Sequence, residues 1–385
     1  MNHVGAKSPD QAGFSLIELM VATLLGTILA AGVVSVYLTS MKDYKLNNAL
    51  GAVQRNGRLA LSLLETKIRM AGFFGCNRGA RPESILDSDL ATYDLTTAIQ
   101  GYEYTGTGMG MAFSIGPGDA SAETGANRWS PSLPPDISHA IGAGTGGDGA
   151  ALPGSDILLL HEAIPGGTGL ASPYTDSSDG LFVAAGQSVK LSVGQLAVVS
   201  DCAHSGLFQI SSIAENPQDG NSIRIRHSSD AGLSPGNTPP GEFNDNAYGS
   251  DAVILPYQTY LFYIGANKGG SPGLYEASLG AGGAFGKPVE LVPGVESMQL
   301  LYGVDTDADG IPNQYLTADQ IADWNQVVSV RVALLASDGE NAEMGGGAAS
   351  FKLLDRFDGL SLTVPGNWRV RRVFEETVSL RNRLP

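Results

Sequence analysis

"GFSLIELMVATLLGTILAAGVVSVYLTSMKDYK", residues 13–45, decides how the rest of the chain must be arranged. From Leu19 to Met41 it carries no charge, and Lys42 and Asp43 follow at once. At 1.5 Å per residue the charge-free run makes about 35 Å of helix, enough to cross a ~30 Å hydrocarbon core. A cleaved secretory signal would have a shorter apolar core of about 7–15 residues, closed by an A-x-A-like site. Neither feature fits, so the stretch reads as a transmembrane helix. No second such stretch follows, which puts the remaining residues on one side of the membrane. Two oddities remain: an acid, Glu18, sits just inside the apolar stretch, and a polar dozen residues precede it.

The helix does not stop at Lys42. No proline occurs between Phe14 and Met70, and a continuous helix from Phe14 to about Ala71 would measure about 87 Å. Within "NGRLALSLLETKIRMAGFFGC" (Asn56–Cys76), Leu59, Leu63, Thr66, Met70 and Phe73 fall on one stripe. That stripe predicts packing of the second half on a soluble domain. Gly72 and Gly75 are stop signals. Gly26, Gly32, Gly51 and Gly57 each weaken the helix by about 1 kcal/mol relative to alanine. They mark bends or close approaches of neighbouring helices, as in the small-residue spacing Ala22/Gly26/Ala30.

The chain has 385 residues, enough for a large core, and a formal net charge of −16, which argues against nucleic-acid binding. With 51 glycines and only 16% charged residues, it reads as a loop-rich β protein beyond the helix. Short β-branched or aromatic runs bear this out, among them "SDILLLHEA" (155–163), "QLAVVSD" (195–201), "QTYLFYIG" (258–265) and "QVVSVRVALLAS" (326–337). Glycine-rich loops such as "IGAGTGGDGAALPGS" (141–155) separate them. The expected fold is α+β: an antiparallel sheet packed on the lower half of the long helix. "TADQIADW" (Thr317–Trp324) reads as a short helix with Thr317 and Gln320 as a capping box.

Few constellations carry chemistry. Cys76 and Cys202 lie far apart and form no CxxC or Cys/His cluster. They make one disulfide if the domain lies outside the cytoplasm, or stay as two buried thiols. "DTDADGIPNQYL" (305–316) places Asp305, Asp307, Asp309 and Asn313 at positions 1, 3, 5 and 9 of a calcium loop, with Gly310 for the turn. Leu316 stands where the bidentate glutamate belongs, so either a weak structural Ca2+ site or a solvated acidic turn fits. The five histidines sit in no HExxH, nucleophile elbow or phosphate loop. His161 and Glu162 end an apolar strand and read as surface residues. The arginines of 369–383 read as the solvated side of a strand or a contact for an acidic neighbour. No catalytic constellation is found, so the chain is not expected to be an enzyme.

"GFSLIEL", a glycine, an aromatic residue and an acid ahead of an apolar helix, resembles the prepilin-peptidase signature of type IV pilins and type II secretion pseudopilins. The resemblance implies cleavage between Gly13 and Phe14, N-methylation of Phe14, and an intersubunit assembly role for Glu18. "NGRLALSLLETKIRMAGFFGC" and the closing "RVRRVFEETVSLRNR" resemble the PilW-type minor pilins. A pilin-like division follows: leader 1–13, membrane-spanning and filament-core helix 14–41, amphipathic continuation 42–72, and soluble β-rich domain 73–385. The implied partners are prepilin peptidase, other minor pilins, the major pilin and a tip adhesin. The implied location is the bacterial inner membrane with a periplasmic domain, then the pilus, serving twitching motility or adhesion. Two alternatives stay open: a large pseudopilin at a type II pseudopilus tip, and a membrane-anchored ligand-binding module. The chain departs from many major pilins in lacking a proline midway along the membrane helix.

Overall fold

A computed structural model describes residues 13, 15–76, 82–115, 125–143, 145–174, 180–186, 191–215, 221–229, 232–241, 243, 247–338, 347–357, 359–367 and 369–383. One α-helix, Leu16–Met70, runs unbroken for 55 residues through Gly26, Gly32, Gly51 and Gly57, about 82 Å at the standard rise. Its hydroxyls do not disturb it: Thr23, Thr27 and Thr39 donate to Met20 O, Leu24 O and Ser35 O at 3.0, 2.8 and 3.0 Å. These bonds satisfy polar groups that a lipid environment could not. Gly72, at φ +76°, turns the chain away; its N–H donates to His161 O at 2.8 Å.

The helix has two halves of opposite character. Every described residue from Ser15 to Lys45 is exposed. Lower down, Ala49, Val53, Gly57, Ala60, Leu64 and Ile68 are buried. This corrects the stripe expected from the sequence, since Leu59 and Thr66 are exposed and Leu63 is half-buried. Around Gly57 and Ala60 the buried face is small, because its neighbour supplies the bulk. A Cβ on Gly57 would fall 2.2 Å from Cε2 of Phe374.

The α+β architecture is present, but the single sheet expected is several among the described residues. The helix rests on a four-stranded antiparallel sheet, in the order Gln314–Leu316, Val295–Val304, Val327–Ser337, Arg371–Ser379. A larger sheet is organised by the 14-residue strand Val253–Ala266. Its first part pairs antiparallel with Leu196–Ser200, and its second with Ile157–Ala163 and Pro272–Ser278. Ile99–Tyr104 extends this sheet beyond Ile157–Ala163. Ala60, Leu64 and Ile68 join one core with Leu158, Leu160 and Phe262 of the large sheet and Leu300, Val332 and Val378 of the helix-facing sheet. The helix is thus the shared wall of both sheets. Short strands at Ala349–Leu353 and Leu360–Val364 form a further small sheet with Ala112–Ser114. The "TADQIADW" segment is not one helix: 3-10 turns occupy Ala318–Gln320 and Trp324–Gln326, and Thr317 N donates to Gln320 Oε1 at 3.4 Å.

Candidate assembly interface

The unpartnered upper helix is the feature that asks for a function. Leu16, Ile17, Leu24, Leu25, Ile28 and Leu29 are each 60% or more exposed. So much apolar surface is stable only in lipid or against other apolar helices. Glu18 stands in the first turn, and its Oε2 accepts from Ser15 N at 3.0 Å. A carboxylate is stabilised there by the free N–H groups and the positive end of the helix dipole. Gly13 is among the described residues; Phe14 and the leader residues 1–12 lie outside them.

The lower helix is fastened to the domain by polar bonds as well as by the core. Lys67 Nζ lies 3.0 Å from Glu162 Oε1 and 3.5 Å above the ring of Tyr260. Burial alone would lower the Lys67 ammonium; its bonds to Tyr260 and Glu162 raise it above its ordinary value. Asn56 Nδ2 donates to Pro293 O at 3.0 Å. At the helix end Asn382 Nδ2 donates to Met70 O and Ala71 O, both at 3.2 Å, and Arg383 donates to Thr96 O at 2.5 Å. The orphan carbonyls of a helix terminus are thereby met by the far end of the chain. A disulfide joins Cys76, just past the helix, to Cys202 between two strands of the large sheet.

The expected surface pair His161–Glu162 is buried instead. Burial pushes the His161 imidazole down to about 4, so it is neutral, with Nδ1 2.8 Å from the Tyr257 hydroxyl. The reason lies outside the strand: Lys67, from the helix, supplies the counter-charge that lets Glu162 sit inside. The arginine-rich end also turns largely inward. Arg371 Nε and Arg369 hold the two oxygens of Glu296 at 2.6 and 3.4 Å. Only Arg372 and Arg381 of that group are exposed among the described residues.

Asp305, Asp307 and Asp309 come within 4.8 Å of one another. Asp305 folds the loop back on itself, accepting from Asp307 N, Ala308 N and Gly310 N at 3.2, 2.8 and 2.7 Å. Burial would raise its carboxyl, but these N–H groups, Gly310 foremost, hold it below the ordinary carboxylate range. Asn313 Oδ1 accepts from Thr306 N at 2.6 Å. The loop is therefore closed by its own bonds, with the exposed Asp307 and Asp309 turned to its rim.

Two acids escaped sequence reading, Glu103 and Asp156. The signal was an acid inside the aromatic run "GYEYTG" (101–106) and an aspartate heading "DILLL" (156–160). Asp156 accepts from Tyr104 N at 3.0 Å and from Leu300 N at 2.8 Å, joining the two sheets.

Residues 8–34 match the family profile described as the prokaryotic N-terminal methylation motif. Residues 261–382 match that of type IV pilus-assembly protein W and contain all four strands of the helix-facing sheet. In these two segments, under half of its length, the chain is similar to pilins of the PilW type. The chain has no significant match among curated proteins. Among solved structures it is similar to a type IV-like pilin from Thermus thermophilus, with 13% identity. That match covers 57% of this chain and 86% of the other at a TM-score of 0.22, too low to equate the two folds. The methylation motif overlaps the start of the helix Leu16–Met70, which is long and apolar enough to cross a membrane; the two together point to membrane anchoring.

Proposed function

We propose that this chain is a minor subunit of a type IV pilus that acts in the tip or initiation complex. Prepilin peptidase removes residues 1–13, and Phe14 becomes a methylated amino terminus. Residues 14–41 hold the subunit in the inner membrane and then in the filament core. Residues 42–72 carry that helix onto the domain of 73–385, which faces the periplasm and later the exterior. The partners are other minor pilins, the major pilin and a tip adhesin, and the pilus serves twitching motility or adhesion.

The observation that carries this reading is the contrast along one helix. Its upper half is bare and apolar, with Glu18 at its start, while its lower half is locked to the domain. Such a subunit associates through the helix without any change in the domain. The mechanism is registration. Removal of the leader would leave the Phe14 amino group near the acid, and a staggered neighbour's amino group would satisfy Glu18 through a charge-assisted bond. An unpaired acid costs up to about 2.5–3.5 kcal/mol at mid-bilayer, so misregistered neighbours are disfavoured. The W-type match favours a pilus over a type II pseudopilus. Mass spectrometry of the mature subunit tests the first step: a chain beginning at methyl-Phe14 is expected, and an intact leader would overturn the reading. Deletion should abolish twitching and leave enzyme secretion unchanged; the reverse outcome would assign the subunit to a secretion machine.

A further inference from the structure

An open cleft of about 520 Å³ lies away from the helix, between the end of strand Ile99–Tyr104, the 105–111 loop and the Ala318–Gln320 turn. Met109 and Met111 give it an apolar side from the loop, with the buried Tyr104 and Trp129 behind them. Trp129 is held in place by its Nε1, which donates to Ser155 O at 3.0 Å. Two acids line the cleft, Glu103 and Asp319.

Glu103 is only 5% exposed and its Oε2 has no hydrogen-bond partner among the described residues. Its Oε1 lies 3.3 Å from Thr107 Oγ1, but that hydroxyl has one hydrogen and makes a shorter bond, 2.7 Å, to Tyr104 O. The charges acting on Glu103 are those of Asp156, on the adjoining strand, and Asp319, on the turn; both are acids. The Tyr302 hydroxyl, also buried, adds no positive charge. Arg128 is the neighbouring cation, and it lies over the Tyr104 ring, 5.5 Å from its centroid. Burial, and then the repulsion of Asp156 and Asp319, push the Glu103 carboxyl up to about 10. Glu103 is thus a neutral carboxylic acid at pH 7 in the wall of the cleft, and a cation brought beside it would stabilise its ionised form. The geometry does not suit a metal ion. Among the described residues, only Asp305, Asp307 and Asp309 bring three acidic ligand atoms within 4.8 Å of one another.

We propose that this cleft receives a protonated arginine or lysine side chain presented by another protein, with Glu103 as its buried counter-ion and Asp319 as its outer one. A cationic side chain pairs with the Glu103 carboxylate, and its aliphatic stem covers the methionines. Docking releases the Glu103 proton to solvent, so the site binds more tightly as pH rises. The net charge of −16 favours the approach of a basic surface. The site is independent of the helix and of leader cleavage, and would serve a contact made by the exposed domain.

The test uses the full chain in detergent micelles, labelled at its methionine methyl groups. Met109 and Met111 report on the cleft, and Met298, buried in the core, reports on the fold. Titration with an amide-capped Gly-Arg-Gly peptide should move the first two signals saturably and leave Met298 in place. Affinity should rise roughly tenfold per pH unit between neutrality and the Glu103 pKa, as expected when one proton leaves on binding. Glu103→Gln, which keeps the shape but cannot ionise, should weaken binding by roughly tenfold or more. Asp319→Asn, on an exposed turn, should weaken it severalfold without touching the fold. The citrulline analogue of the peptide should not bind. Absence of saturable shifts, or equal binding by the citrulline peptide or by Glu103→Gln, would overturn the proposal. Putrescine binding as tightly as the peptide would overturn the assignment to a protein side chain.

Discussion

The ring of Phe374 occupies the place where a side chain at position 57 would begin, with Cε2 2.2 Å from a Cβ built on Gly57. Helix and sheet meet here through a residue with no side chain against one of the largest. Replacing Gly57 with leucine forces the ring or the helix aside. Overpacking of this kind costs about 1–3 kcal/mol, and the better helix propensity of leucine offsets part of it. Gly57→Leu should therefore lower the melting temperature of the detergent-solubilised chain by several degrees. An unchanged melting temperature would mean that the seam is not tightly packed.

Glu18→Ala removes the only acid between Leu16 and Met41. Membrane insertion should be unchanged or slightly better, because a carboxylate is costly in lipid. Recovery of the subunit in sheared pili should fall strongly. Equal recovery of mutant and parent by immunoblot would contradict the registration role.

The Cys76–Cys202 bridge closes 126 residues of chain. On the chain-entropy account such a loop is worth about 5 kcal/mol, less any strain in the folded state. The double variant Cys76→Ser/Cys202→Ser should melt well below the oxidised parent and match the parent in reductant. A variant as stable as the oxidised parent would show that packing alone holds the segment.

For Glu103 the sign of the pH effect is fixed by its raised value. A carboxyl held at about 10 against an ordinary 4.5 binds more protons folded than unfolded. Its contribution is full below pH 4.5 and is lost progressively as pH climbs toward 10. Asp156, pushed up by burial to about 7, acts in the same direction over a narrower window. Glu103→Gln should thus flatten the stability curve above pH 7, leaving the decline below it. Parallel curves for parent and variant, followed by thermal melts across pH, would refute this.

Calcium is best tested through the rim of the 305–313 loop. If Asp307 and Asp309 help to hold the ion, calcium should raise the melting temperature of the parent by mass action, and chelator should reverse the rise. Asp307→Ala/Asp309→Ala should lose that response while staying close to the parent in chelator, since both residues are exposed. Identical melting of the parent with calcium and with chelator would leave the loop as a self-bonded turn.

The helix and most strands were legible because each is written within a few consecutive residues: a charge-free run, a missing proline, alternating β-branched residues. What failed was everything decided by a distant partner. Leu59 and Leu63 looked like the buried stripe because large apolar residues usually face inward, yet the interface takes Gly57 and Ala60 because Phe374 fills it from the other side. His161 and Glu162 looked superficial because their buried cation, Lys67, lies 95 residues before Glu162. The short strands Ala349–Leu353 and Leu360–Val364 carry too few residues for periodicity to speak. The exposed apolar upper helix was legible, because a face that meets nothing else in the chain is written in its own residues. The Glu103 cleft was not, since its walls come from three separated segments.

The bond from Asn382 to Met70 spans 312 residues. The helix leaves the ribosome long before the strand Arg371–Ser379, on which it rests. During synthesis the anchor is therefore in place long before its seat exists. Contacts so far apart in sequence form late and make for slow folding. A truncated or stalled chain would carry a working anchor with nothing rigidly attached to it, and so could enter the membrane without delivering a finished subunit.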